Sequence, residues 1–266
     1  MTYSDYEKQV QSATGLSIAA AWSQGRSAFG GLTAALVVAH IESQEDVSDR
    51  DLCTLNIHFC GPTIADEICE FRHKVLSKGK SVMQVEGQLL QNGEVKTQII
   101  ACFGVQRFAT LQVTPPIKVF PKKSLQVPFI AKFMPEFVQH LDMKYTSEHM
   151  PFSGSSEAHV SGWVRFVEAP PAFTDAALVA LIDAWPPAVL PMLERVAPSS
   201  SITWNIEFLN PRTELNSSDY IYYECEAIQA AAGYAHTEAK IYNQDGQLMA
   251  LSRQMVGVYE KKANPA

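Results

Sequence analysis

Asp183 is the residue of this chain best suited to chemistry. It sits in the run TDAALVALIDAW, among Val179, Ala180, Leu181, Ile182 and Ala184. A carboxylate among apolar side chains loses hydration, which raises its pKa toward the working range of a general base. The rival reading is a structural carboxylate that holds a backbone amide or a Tyr hydroxyl. The cost of burying a charge without use favours the functional one. A second feature is Gly30-Gly31, at the head of the apolar run FGGLTAALVVAHI. The first amides of a helix have no partner within it and carry partial positive charge. Aimed at a carbonyl, the Gly31 N–H would stabilise a developing oxyanion. The rival role of such a pair is to let a helix pack closely. Other chemistries lack their parts. GRSAFG, around Ser27, has the wrong spacing for a nucleophile elbow. The seven histidines show no H-E-x-x-H or clustered metal spacing, and no P-loop or G-x-G-x-x-G is present. His58 reads as a strand histidine.

These residues need elements to hold them. Residues 29–41 form an apolar stretch long enough for a buried helix. Strand-like runs follow at 53–60, 68–76, 81–91 and 95–106, with Asn92-Gly93 as a hairpin turn between the last two. Residues 107–135 carry Pro115, Pro116, Pro121, Pro128 and Pro135 and read as a partly ordered linker. Strands at 140–147 and 157–168 precede a second apolar helix. Thr174 is its N-cap, and it stops near Trp185 because Pro186-Pro187 cannot continue it. Strands recur at 202–209, 220–228, 234–242 and 247–259, with Asp245-Gly246 as the matching turn.

The halves also share text. TLNIHFCGP at 54–62 and TWNIEFLNP at 203–211 match at an offset of 149; Asp66/Asp219, Ile68/Ile221, Gly93/Gly246 and Gly104/Gly257 match at 153. The change of 4 fits one insertion after Pro211, in a surface turn. One buried helix followed by an antiparallel meander, twice, is an α+β pattern. A sheet wrapped around a single helix is a hotdog, and two in one chain make a double hotdog. The expected division is an N-terminal hotdog over 1–110, a linker over 111–138 and a C-terminal hotdog over 139–266. Aligning Gly30 with Asp175 sets Asp183 against Val38 and Gly30-Gly31 against Asp175-Ala176. Each half keeps what the other lacks. One complete site across the interface is expected, the second having decayed.

Composition narrows the class. With 21 basic and 28 acidic side chains in 266 residues, the net charge of −7 argues against broad nucleic-acid or anionic-membrane binding. Five cysteines without CxxC spacing read as free thiols in a reducing compartment. MTYSDYEKQVQ has no basic region followed by an apolar one, and no uncharged apolar run reaches the ~20 residues of a membrane span. A cytoplasmic protein is expected.

Four segments carry a family resemblance: FGGLTAAL, GKSVMQVEGQLLQNGEV, LIDAWPP and YNQDGQLMALSRQ. In this order they resemble the acyl-CoA thioesterase II-like double-hotdog proteins, over about Ser17 to Tyr259. The resemblance implies cleavage of an acyl-CoA thioester without a cofactor. It also implies an Asp, a Thr and a Gln that hold the attacking water. The Asp position, before the proline break of the second helix, is Asp183; the Gln position, in the last strand, is Gln254. The Thr position is matched best by Ser201, with Ser199, Ser200 and Thr203 in the same turn. Ser for Thr keeps the hydroxyl. Gly30, Gly31, Asn56, Thr203 and Asn205 are the expected substrate-binding residues, the last three because they lie in the matched strands. The expected partners are an acyl-CoA or related thioester and further copies of the chain in a homo-oligomer. The rivals are a noncatalytic acyl-CoA or acyl-ligand binding protein and a purely structural oligomer.

Overall fold

The computed structural model describes residues 1–12 and 15–260. Of the expected segments 1–110 and 139–266, positions 13–14 and 261–266 lie outside the described residues. Its helices are α1 (Tyr3–Ser12), α2 (Gly30–Gln44) and α3 (Asp175–Ile182). Leu32, Ala34, Ala35, Leu36, Val37 and Val38 of α2 are wholly buried, and α3 is buried from Ala176 to Ile182. A helix with no polar face has to be covered on every side.

A sheet does the covering. In chain order the strands are β1 (Gly15–Ser17), β2 (Ser23–Gln24), β3 (Ser27–Ala28), β4 (Asp51–Phe59), β5 (Ile68–Lys78), β6 (Val82–Gln91), β7 (Glu94–Gly104), β8 (Leu125–Val127), β9 (Leu141–Tyr145), β10 (His159–Phe166), β11 (Ser199–Phe208), β12 (Ile221–Ala231), β13 (Tyr234–Tyr242) and β14 (Leu248–Val258). Twelve of them form one antiparallel sheet in the order β1-β5-β6-β7-β4-β11-β14-β13-β12-β10-β9-β8, while β2 pairs with β3 alone. Outward from the β4–β11 seam, each half runs through its first, fourth, third and second repeat strand. The duplicated text is thus a duplicated structure, and the fold is an α+β double hotdog.

The seam lies where the two copies meet themselves. Asn56 stands opposite Asn205, its own repeat partner, and Asn205 Nδ2 donates to Asn56 Oδ1 at 3.1 Å. The approximate twofold axis passes between them. Both seam strands carry a β-bulge at equivalent positions, Cys53 in β4 and Ile202 in β11. An extra residue reverses which side chains face the helix beyond that point.

Two parts differ from the sequence reading, and a third adds to it. α1 was not anticipated, although Tyr3, Tyr6, Glu7 and Val10 are buried at i, i+3, i+4 and i+7 spacing. α3 ends at Ile182, ahead of Trp185: Asp183 leaves with ψ 2°, and a residue before proline, here Trp185, resists helical geometry. The segment 111–138 contains structure of its own. β8 pairs with β9, Lys118 ties to Glu224 at 2.6 Å, and Phe120 packs on Trp163 and Tyr222 at 4.5 and 4.7 Å. It is strapped across the outer face of the C-terminal half. Among the described residues no helix is long and apolar enough to cross a membrane.

Candidate active site

The two helices cross at Gly31. A Cβ there would lie 2.8 Å from the Ala180 carbonyl oxygen and 2.9 Å from the Asp183 Cβ. Only a glycine lets the start of α2 come so close to the end of α3. The crossing carries Asp183, the C-cap of α3, onto the first turn of α2. The Asp183 Oδ2 lies 3.0 Å from where a Gly30 Cβ would be.

Three donors and acceptors form a directed chain. Ser201 Oγ donates to Gln254 Oε1 at 2.9 Å, and Gln254 Nε2 donates to Asp183 Oδ1 at 2.8 Å. The Gly31 backbone amide sits beside the Asp183 carboxyl and lowers its pKa. The β11 bulge makes this possible. Trp204, Ile206 and Phe208 point inward, so plain alternation would turn Ser201 outward. The extra residue at Ile202 returns Ser201 to the inner face, opposite the buried Val256. Gln254, opposite Trp204, faces the same way. Of the hydroxyls crowded at this turn, it is therefore Ser201 that meets the amide.

Asp183 keeps partial contact with solvent, yet protein atoms crowd its carboxyl. Burial pushes its pKa up to about 7, against the smaller lowering effect of the Gln254 and Gly31 donors. A carboxyl so poised takes up a proton near neutral pH. Nearby aromatic rings wall the region. Phe59 lies 3.2 Å from the Gly30 Cβ position. Tyr223 is raised well above its ordinary pKa, by burial first, with Cys225 and the Asp183 charge also contributing. Trp185 stacks on Tyr223 at 5.8 Å and meets Tyr145 at 4.9 Å. Phe59 and Tyr223 escaped the sequence reading; Phe59 belongs to the repeated text, where its match with Phe208 was the only signal.

The Gly31 amide, expected to face a carbonyl, lies beside Asp183, where the helix crossing brings the carboxylate. Asn56, Thr203 and Asn205 are not brought to Asp183. Leu55, Ile57, Trp204 and Ile206 fill the inner face, and alternation sends their neighbours outward. There the three line an outer cleft of ≈ 500 Å³ with His58, His236, Arg253 and Gln254.

The opposite end of the helix pair shows what became of the second copy. The offsets 145, 149 and 153 relate Asp183, Ser201 and Gln254 to Val38, Leu52 and Ala101, which are 0, 1 and 0 % exposed. A hydrocarbon core replaces the polar chain. Asp175, the partner of Gly30, is ion-paired with Arg212 at 2.9 Å.

Two fused hotdogs with a carboxylate–amide–hydroxyl chain at their crossing define the class, a double-hotdog protein with a candidate site between its halves. Residues 18–104 match the acyl-CoA thioesterase N-terminal domain, and residues 118–258 match the acyl-CoA thioesterase C-terminal domain. The chain belongs to the acyl-CoA thioesterase family, which makes it a thioester hydrolase at the level of the family. No curated protein matches the sequence. Among solved structures it is similar to a conserved hot dog fold protein from Alicyclobacillus acidocaldarius (22% identity, 93% of each chain covered, TM-score 0.77). It is also similar to the acyl-CoA thioesterase II of Mycobacterium marinum (18% identity, 90% of this chain and 92% of that one, TM-score 0.69). The tesB protein of Mycobacterium avium subspecies paratuberculosis is 14% identical over 97% of this chain and 100% of its own, with a TM-score of 0.77. At these identities the likeness speaks for the fold.

Proposed function

We propose that this protein hydrolyses an acyl-CoA thioester to the free acid and CoA at Asp183, Gln254 and Ser201. The observation that carries the proposal is the direction of the hydrogen-bond chain. Ser201 spends its proton on Gln254, so its lone pairs face outward as acceptors. Asp183 has a free acceptor position beside its bond from Gln254. A water between them gives one hydrogen to Asp183 and one to Ser201, which leaves an oxygen lone pair to attack a carbonyl carbon. Asp183 takes the water's proton as the new C–O bond forms. Its own charge falls while charge builds on the thioester oxygen, and the Gly31 N–H beside it stabilises the stronger anion. The oxyanion then collapses and expels the CoA thiolate, a leaving group that needs no strong acid near neutral pH. Attack by the carboxylate itself, through an anhydride, is the less favoured route, because the Gln254 amide already holds Asp183 in place.

Free thiol released from a panel of acyl-CoAs tests the proposal. Turnover by the parent protein together with its loss in a folded Asp183→Asn protein supports it. A thermal shift with acyl-CoA but no turnover by the parent would favour the noncatalytic binding reading. Cytoplasmic location and assembly into a homo-oligomer remain parts of the proposal, and size measurement in solution tests the latter.

A further inference from the structure

β4 and β7 carry two of the five cysteines on one face. The β4 bulge leaves Cys53 between Leu52, opposite Phe103, and Thr54, opposite Cys102. Leu52, Leu55, Ala101 and Phe103 are buried toward α2, so Cys53, Thr54 and Cys102 share the outer face. At a bulge two residues oppose one on the partner strand. Opposed residues of antiparallel strands have Cα atoms about 4.5–5.5 Å apart, within the roughly 4.4–6.8 Å that a disulfide spans. Cys53 already leans over β7. Its Sγ lies 2.9 Å from where a side chain at Gly104 would begin, and Gly104 is the next outer-face position along from Cys102. Rotation about the Cys53 side chain turns the sulfur back along β7. Both thiols are half-buried and line a cleft of ≈ 1020 Å³, with residues 105–115 and 209–213 on its walls. A small reagent has room to reach them, and the proposed hydrolysis uses neither.

We propose that Cys53 and Cys102 form a reversible disulfide by exchange with a small-molecule disulfide, closing one end of this cleft. The Cys53 thiolate attacks one sulfur of a glutathione-type disulfide and expels one thiolate. The Cys102 thiolate then attacks the Cys53 sulfur of the mixed disulfide and expels the second. The two protein thiols lose two protons and two electrons, and the reagent leaves as two thiols. Cys53 attacks first because burial and the neighbouring Cys53 hold the Cys102 thiol above its ordinary pKa. The bond ties down a junction. Arg212 Nη2 donates both to the Leu52 carbonyl, next to Cys53, and to Asp175, which joins the bulge to the start of α3.

The experiment treats the native protein with oxidised glutathione, blocks free thiols, and reads intact mass and linked peptides. The expected result is a fall from five thiols to three when the treated protein is titrated in denaturant, a loss of about 2 Da before blocking, one peptide pair joining 53 to 102, and full reversal by dithiothreitol. Cys53→Ser and Cys102→Ser should each abolish the linked pair while circular dichroism stays unchanged. Five remaining thiols, a glutathione adduct on Cys53 that never resolves, or a bond through the exposed Cys60 or between two chains would each overturn the assignment.

Discussion

Replacing Asp183 with Asn should remove activity and raise stability together. The folded-state pKa of about 7 stands roughly 3 units above the ordinary 3.8. At 1.36 kcal/mol per unit, keeping the side chain ionised in the fold costs about 4 kcal/mol at most. The sign follows from the direction of the shift. The raised pKa means that the folded protein prefers the protonated acid. That stability is fully present below pH 3.8 and is lost as the pH rises through about 7. Asn imitates the neutral acid at every pH. Its amide, however, turns one edge into a donor, so the Gln254 amide has to flip and Ser201 becomes an acceptor. We assign about 1–2 kcal/mol to that rearrangement. The net expectation at pH 8.5 is a gain of roughly 1–3 kcal/mol, a Tm rise of several degrees for a chain of this size. The gain should fade at pH 4.5. Urea unfolding of both proteins at the two pH values measures it, and turnover should fall about 100-fold or more. An Asn protein less stable than its parent at pH 8.5, or stabilised equally at both pH values, would refute the argument that burial raises this carboxyl. Full turnover by a folded Asn protein would remove Asp183 as the base.

Other expectations are shorter. In the parent protein kcat/KM should climb about tenfold per pH unit below 7 and level off above it, because the base acts only when deprotonated; a flat profile from pH 5 to pH 8 in steady-state assays counts against it. Ser201→Ala should lower kcat about 10- to 100-fold with little change in KM, since it frees the Gln254 amide and removes an acceptor for the water; equal loss in kcat and stability would point to a structural role. Gly31→Ala places a methyl 2.5 Å from Phe29 Cζ as well as against Ala180 and Asp183; pushing α2 from α3 should cost about 1–3 kcal/mol in urea unfolding and most of the activity. Glu42→Gln should stabilise the fold above pH 8 and not at pH 4. Burial first, then the Asp175 and Glu7 charges, raise this carboxyl to about 8, so its ionisation opposes folding as the pH rises through that value.

Much of this molecule was legible in the sequence because the signals are local or repeated. An apolar run with no polar face declares a buried helix, Asn92-Gly93 declares a hairpin, and Thr174 does cap α3, accepting from the Ala177 N–H at 3.1 Å. Asp183 announced itself because a lone carboxylate in an apolar run is costly wherever the helix ends up. The repeat fixed which residues correspond, and hence that Val38 stands where Asp183 does in the other half. The facing of strand residues was harder. Ser201 and Thr203 are equivalent on paper, and a single bulged residue at Ile202 decides that one meets Gln254 while the other faces the outer cleft. Asn56 and Asn205 carry the repeated text, and only the fold shows that they pair with each other across the seam.

By itself the sequence determined the elements, the duplication and the asymmetry between its halves, since periodicity, turn chemistry and burial cost act over a few neighbouring residues. Only the tertiary structure decided which groups touch. Where a bulge falls, how near two helices approach and which amide a carboxylate finds depend on contacts between residues far apart in the chain. Gly31 is the clearest case. Asp183 lies 152 positions away, and no spacing along the chain reveals that the two helices meet at that pair.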